Sequence, residues 1–238
     1  MSMEYNPGYL HHKNQGSSAT LRELVFGMED GMVSTLGAIT GIAAAAQNHQ
    51  TVILAGLVII SVESISMAVG SYLSSKSARD MDERKIEEEK IELEKFPEEE
   101  KEELIEMYVV DGWPKELAKT MVDTASKNKS LFLKEMSYRE LGVVEGKLEN
   151  PFKNGLVMGI SYILGGTVPL MAYFLLPISS AIFVSVAITL FGLFLLGVYT
   201  ASLSKRTWWK AGLEMFALAS VAALVGYFVG QLVQRFFI

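Results

Sequence analysis

Five apolar windows and one long polar insert set the layout of this chain. The windows are about Leu24–Ala46, Val52–Leu73, Leu156–Leu176, Ala181–Leu203 and Ala211–Val233. Each approaches or exceeds the roughly 20 apolar residues that cross a hydrocarbon core. The last three leave few residues for loops and predict a compact hairpin bundle. The first two carry acids, Glu29, Asp30 and Glu63, which are costly in lipid. Beyond Leu73 the second window is expected to continue as helix, because Ser74–Lys95 lacks Pro and Gly and consists mostly of strong helix formers. Phe96-Pro97 breaks that helix, since proline suits a first turn rather than an interior. Further helices are predicted over Pro97–Val110, from Trp113-Pro114 to about Ser126, and over Lys129–Leu141. Sparse apolar positions such as Ile91, Leu104, Met121 and Phe132 supply a small core for a three- or four-helix packet.

The pattern divides the chain into an N-terminal tail (1–20), transmembrane helices 1 and 2 (21–75), an acidic helical domain (76–149) and transmembrane helices 3 to 5 (150–238). The fold class is all-α: an integral membrane protein of five transmembrane helices, with a cytoplasmic helical domain inserted between helices 2 and 3. Its orientation follows from the short loops. Ser204–Lys210 carries Lys205, Arg206 and Lys210 beside Trp208 and Trp209, and the N-terminal flank offers Lys13 and Arg22. Gln47–Gln50 and Leu175–Ser180 carry no Lys or Arg. The positive-inside rule therefore places the N-terminus and the acidic domain in the cytoplasm, and the C-terminus opposite. The polar start of the chain shows no cleavable signal pattern, so the first span is expected to remain.

Charge sharpens the picture of the insert. Residues 76–149 hold 21 Asp/Glu against 14 Lys/Arg, whereas the rest of the chain holds 6 acids and 7 bases. The chain has no cysteine and a net charge of −6, which leaves carboxylate, Met and His as metal ligands and argues against nucleic acid as a partner. Within Glu87–Glu106, Glu89/Glu92 and Glu100/Glu103 are carboxylate pairs three apart, and Met136/Glu140 is a pair four apart. Each pair lies on one helical face. Brought together by two turns, these faces can enclose divalent cations. The competing reading is a solvated helix laced with i,i+4 salt bridges.

In the apolar part, Asp30 is followed by Gly31, Ser34 and Thr35 on an otherwise hydrophobic helix. Glu63 and Met67 share a face of the second span near mid-membrane. An intramembrane carboxylate is a functional candidate by default, with a helix–helix hydrogen bond as the alternative. Gly155/Gly159 and Gly226/Gly230 read as small-residue pairs for close helix packing. His11, His12 and His49 read as solvent-exposed.

Three stretches together carry a resemblance: Asp30–Gly41 (DGMVSTLGAITG), Ser66–Ser75 (SMAVGSYLSS), and Glu140-Leu141-Gly142 with Asn150-Pro151-Phe152 and Gly165–Leu170 (GGTVPL). These resemble the motifs of the vacuolar iron transporter (VIT) family, and the likeness covers about residues 20–238. The resemblance implies a five-span homodimer that exports cytosolic Fe²⁺ in exchange for protons. It implies domain ligands at Glu89, Glu92, Glu100, Glu103, Met136 and Glu140. It also implies a translocation path through Asp30 and Met67, with Glu63 as a further candidate. Ser71 departs from the family pattern, which often has Glu there, and Glu63 is the candidate to compensate. A thioether beside carboxylates suits Fe²⁺, with Mn²⁺, Co²⁺ and Zn²⁺ as further ions, over Mg²⁺ or Ca²⁺. Two rival readings are a membrane-anchored iron-storage or ferroxidase module and a structural membrane protein whose acidic insert binds a partner. The first needs Glu-x-x-His motifs, and the insert has no histidine.

Overall fold

A computed structural model of the chain describes residues 18–46, 48–143 and 148–237, and it is helical throughout its regular structure. The helices are α1 (Ser18–Ala46), α2 (His49–Lys95), α3 (Pro97–Val110), α4 (Lys115–Ala125), α5 (Lys129–Arg139), α6 (Pro151–Leu175), α7 (Ile178–Ser204) and α8 (Trp208–Phe237). The chain forms two compact units. One holds the described residues up to Tyr72 together with those from Phe152 on, and the other holds the described residues between Leu73 and Pro151. At 47 residues α2 is about 70 Å long, and its two halves belong to different units.

Four helices among the described residues are long and apolar enough to cross a membrane: α2, α6, α7 and α8. The first expected span is not among them. Although α1 has 29 residues, Arg22, Glu23, Glu29 and Asp30 occupy its first half and dilute its apolar character. The apolar unit has its core at Ile39, Val52, Ile60, Leu170 and Tyr173, and a second at Met32, Leu193, Leu196 and Ala219. Large side chains such as Leu54, Val62, Ile65, Phe183 and Phe191 point outward. That outward apolar belt suits lipid, whereas water would penalise it.

Glycine lets α1 pack at backbone distance from two neighbours. A Cβ on Gly31 would lie 2.3 Å from the Tyr162 carbonyl oxygen of α6, and one on Gly226 would lie 2.1 Å from the Gly37 carbonyl oxygen of α1. The Gly226/Gly230 pair thus packs on Gly37/Gly41, and Gly155/Gly159 packs on the Ser64–Tyr72 stretch of α2.

The insert unit is a helical packet around Leu104, Tyr108, Ala118, Val122, Phe132 and Met136. Its turns follow their sequence signals. Pro97 opens α3 after a one-residue break at Phe96. Gly112 takes φ +96° and Gly142 φ +66°, both in the left-handed region that glycine tolerates. Asn128 caps α5, its side chain accepting from the Ser130 and Leu131 amides.

Candidate metal centre

Three helical segments of the insert deliver the site. The second half of α2 carries Glu89 and Glu92, and α3, reversed by the Phe96-Pro97 break, carries Glu100 and Glu103. Glu140 is the C-cap of α5 and donates its backbone N–H to the Met136 carbonyl. Carboxylate oxygens of Glu89, Glu100 and Glu140 all lie within 4.8 Å of one another. Among the described residues this is the group of three or more acids or histidines so gathered. Glu89 is 2% exposed and Glu100 7%, while Glu140 faces solvent. The Glu89 Oε1 and Glu100 Oε2 atoms are buried without a hydrogen-bond partner.

Burial and mutual repulsion hold Glu89, Glu100 and Glu103 toward their protonated forms. Desolvation, then the hydrogen bond and charge of Glu140, push the Glu89 carboxyl up to about 8. Desolvation, then the charges of Glu103, Glu140 and Glu92, push Glu100 up to about 6, against a hydrogen bond from Glu89 that lowers it. Glu103 is raised as well, by desolvation first and then by Glu140, Glu92 and Glu106. Buried anions need a compensating cation or a proton. A divalent ion would satisfy the orphaned oxygens and the clustered charge together, and the all-oxygen donor set fits hard to borderline cations.

The alternative of a face laced with ion pairs describes the other acids. Arg79 pairs with Glu83, Arg84 with Glu88, Lys90 with Glu87, Lys101 with Glu98 and Lys129 with Glu94. Among the described residues none of these cations pairs with Glu89, Glu92, Glu100, Glu103 or Glu140. Salt bridges occupy the outside of the packet, and the uncompensated acids converge.

Met136 lies fully buried in the insert core, packed among Leu104, Val122 and Phe132. Sequence reading missed the brace that fixes the end of α5. Arg139 lies over the Tyr108 ring, 3.7 Å from its centroid, and pairs with Asp111 and Glu135, while the Tyr108 hydroxyl donates to Glu135 at 2.9 Å. This brace ties α5 to α3 one residue before Glu140. Only the spacing of an aromatic and an Arg 31 positions apart hinted at it, and such a pair has no local signature.

In the apolar unit the named residues are less concentrated. Asp30 is half-buried on α1, Met67 half-buried and Glu63 exposed on α2. Asp30 and Glu63 lie close enough for each to act on the other's charge. The Ser34 hydroxyl donates to the Asp30 carbonyl at 2.6 Å and meets the hydroxyl of the fully buried Tyr162 at 2.6 Å. Ser71 is buried and donates to Glu23 Oε2 at 2.7 Å. Glu23, at 6% exposure, is a buried acid that sequence reading did not single out, and it brings a carboxylate from α1 to Ser71 of α2. His49 is half-buried and lines a cavity rather than standing free in solvent; His11 and His12 lie outside the described residues.

The chain thus joins four helices long and apolar enough to cross a membrane to a second unit in which three carboxylates converge. Comparison gives the family. The model of the VIT family matches residues 21–231, and the chain belongs to that family, one of transporters rather than enzymes. It is 27% identical to vacuolar iron transporter 1 of Arabidopsis thaliana over 228 residues, covering 94% of this chain and 91% of the relative. It is 32% identical to the vacuolar iron transporter of Toxoplasma gondii over 234 residues, covering 94% and 77%. It is 28% identical to that of Plasmodium falciparum over 226 residues, covering 90% and 82%.

Proposed function

We propose that this protein carries Fe²⁺ out of the cytosol in exchange for protons, with Mn²⁺, Co²⁺ and Zn²⁺ as further substrates. The observation that carries the reading is the convergence of carboxylate oxygens of Glu89, Glu100 and Glu140 to within 4.8 Å of one another, with one oxygen each of Glu89 and Glu100 buried and unpaired. Relatives named as iron transporters support iron as the metal.

In this account the insert is cytoplasmic and collects the ion, with Glu92 and Glu103 adding negative field and Met136 a neighbouring thioether. Loading displaces the protons that burial holds on the acids. Asp30 and Met67 then offer a second, less hydrated site, with Glu63 beside it. Protonation of those acids from the opposite side releases the ion, because a protonated carboxyl is a poor ligand. The chain works as a homodimer with five crossing helices, α1 becoming the fifth when its acids face a partner or an aqueous path instead of lipid.

Metal flux into sealed proteoliposomes, measured with and without an imposed pH gradient, tests the reading. Flux that rises with a gradient acidic on the receiving side is expected. Absence of metal flux under either condition would overturn it.

A further inference from the structure

Four hydroxyls lie buried in the apolar unit without closing a hydrogen bond of ordinary geometry, although Tyr173 interacts with Thr40 and Ser185, and Thr35 with Tyr162: they are Thr35 and Thr40 on α1, Tyr173 on α6 and Thr189 on α7. All four residues are at most 2% exposed. Leaving a buried hydroxyl unmade costs about 1–3 kcal/mol, so four in one helix bundle demand a reason. Isosteric Val or Phe would avoid that cost at each position.

The hydroxyls are not scattered. Tyr173 faces Thr40 and Ser185 without closing a hydrogen bond of ordinary geometry to either. Ser185 donates to the Pro169 carbonyl at 2.7 Å. Pro169 lacks an N–H, so the Gly165 carbonyl one turn earlier loses its helical donor. Ser185 and Thr189 are successive members of the buried stripe of α7. Thr35 points at α6, where a Cβ on Gly166 would approach its Oγ1 to 2.9 Å, and it also faces Tyr162. Tyr162 in turn meets Ser34, one turn from Asp30.

Heights along the helices agree. Thr40 stands about 15 Å along α1 from Asp30, and Tyr173 about 17 Å along α6 from Tyr162, in the same direction. The lower end opens on a cavity of about 940 Å³ lined by Thr40, His49, Ser179, Phe183, Tyr227 and Gln231. That cavity sits at the two turns that carry no Lys or Arg.

We infer that Thr35, Thr40, Tyr173, Ser185 and Thr189 line an internal file of water molecules that carries protons between this cavity and the level of Asp30, inside one protomer. Each hydroxyl accepts a proton from one neighbour as it passes its own to the next. No bond order or electron count changes, and the net event is displacement of one proton along the file. Ile39, Leu170 and Ala181 belong to the hydrophobic core of the same unit and bring no charged ligand to these hydroxyls. This inference rests on the proton-exchange reading above and supplies its route.

The test uses full-length protein in proteoliposomes, with a pH-sensitive dye inside and Co²⁺ supplied outside, reading metal and proton movement together. The triple variant Thr40→Val, Tyr173→Phe, Thr189→Val keeps side-chain shape. It should melt no lower than wild type, since it removes orphaned polar groups. Its metal-coupled proton flux should fall about tenfold or more, equivalent to about 1.4 kcal/mol on the slowest hop. Thr40→Ser, which keeps the hydroxyl, should retain most of the flux. Wild-type coupled flux in the triple variant would overturn the water file while leaving proton exchange intact. A wild-type protein that moves Co²⁺ with no pH change would overturn the exchange reading and the file with it.

Discussion

In the insert, Glu89, Glu100 and Glu140 arrive from three helices with oxygens within 4.8 Å, and Glu92, Glu103 and Glu106 add charge around them. In the apolar unit, Asp30 has Glu63 as its charged neighbour across a helix gap and Glu29 beside it in sequence. If both act as cation sites, the crowded one should be redundant, since neighbours still supply oxygens and field when one acid is lost, and the sparse one should have no such reserve. Crowding also stores repulsion in the insert, whereas around Asp30 the Ser34 hydroxyl reaches only the Asp30 backbone carbonyl and the Tyr162 hydroxyl.

The largest expected effect tests the sparse side of that contrast. Asp30→Ala and Asp30→Asn should both bring metal flux in liposomes down to the level of empty vesicles, with melting temperature and assembly unchanged. Asn keeps one oxygen without charge, so near-normal flux in Asp30→Asn would make Asp30 a structural acid. On the crowded side, Glu92→Ala should lower flux by only about two- to threefold, a loss of under about 1 kcal/mol. A complete loss with Glu92→Ala would show that the cluster is not redundant.

A pH series sharpens the comparison further. Glu89 and Glu100 are raised in the folded insert, so their contribution to stability is fully present below the ordinary carboxylate range. It is lost as pH climbs through about 6 and then about 8. The metal-free protein should therefore melt lower at pH 8.5 than at pH 5.5. Glu89→Gln should flatten that slope, and a divalent cation should reverse it by mass action. The same slope in wild type and Glu89→Gln would deny that Glu89 carries the stored repulsion.

The smallest effects belong to the periphery. Arg139→Ala should lower melting by a few degrees and weaken metal binding a few-fold, because Glu140 follows the brace directly. Lys90→Ala, which breaks only an exposed pair with Glu87, should change either by no more than about 0.5 kcal/mol.

Much of the helix plan was readable because its signals are local. The Phe96-Pro97 break, the Asp111-Gly112 and Gly142 stops and the Pro114 start fall where α3, α4 and α5 begin and end. The Gly226/Gly230 pair likewise marks a close packing surface. The chain's three-dimensional pairings were less legible. Spacing and the family resemblance had placed Glu89, Glu100 and Glu140 among the candidate ligands, but only folding shows that the first two are buried and that Glu94 and Glu98 go to lysines. The partnership of Glu23 with Ser71 spans 48 residues, and the Arg139–Tyr108 stack 31, so neither leaves a pattern in a single helix period. Hydropathy also leaves α1 outside the crossing helices, because Arg22, Glu23, Glu29 and Asp30 count against it.

The central claim is that the buried acids of the insert form a cation site loaded in exchange for protons. Calorimetric titration of the full-length protein with Co²⁺ at pH 7, repeated in buffers of different ionisation enthalpy, measures binding and proton release at once. Wild type should bind and release on the order of one proton per ion, since Glu89, at about 8, is largely protonated at that pH. The Glu89→Gln, Glu100→Gln, Glu140→Gln variant should lose that heat and its buffer dependence. Equal heats in the two proteins, or binding with no dependence on buffer, would contradict the account.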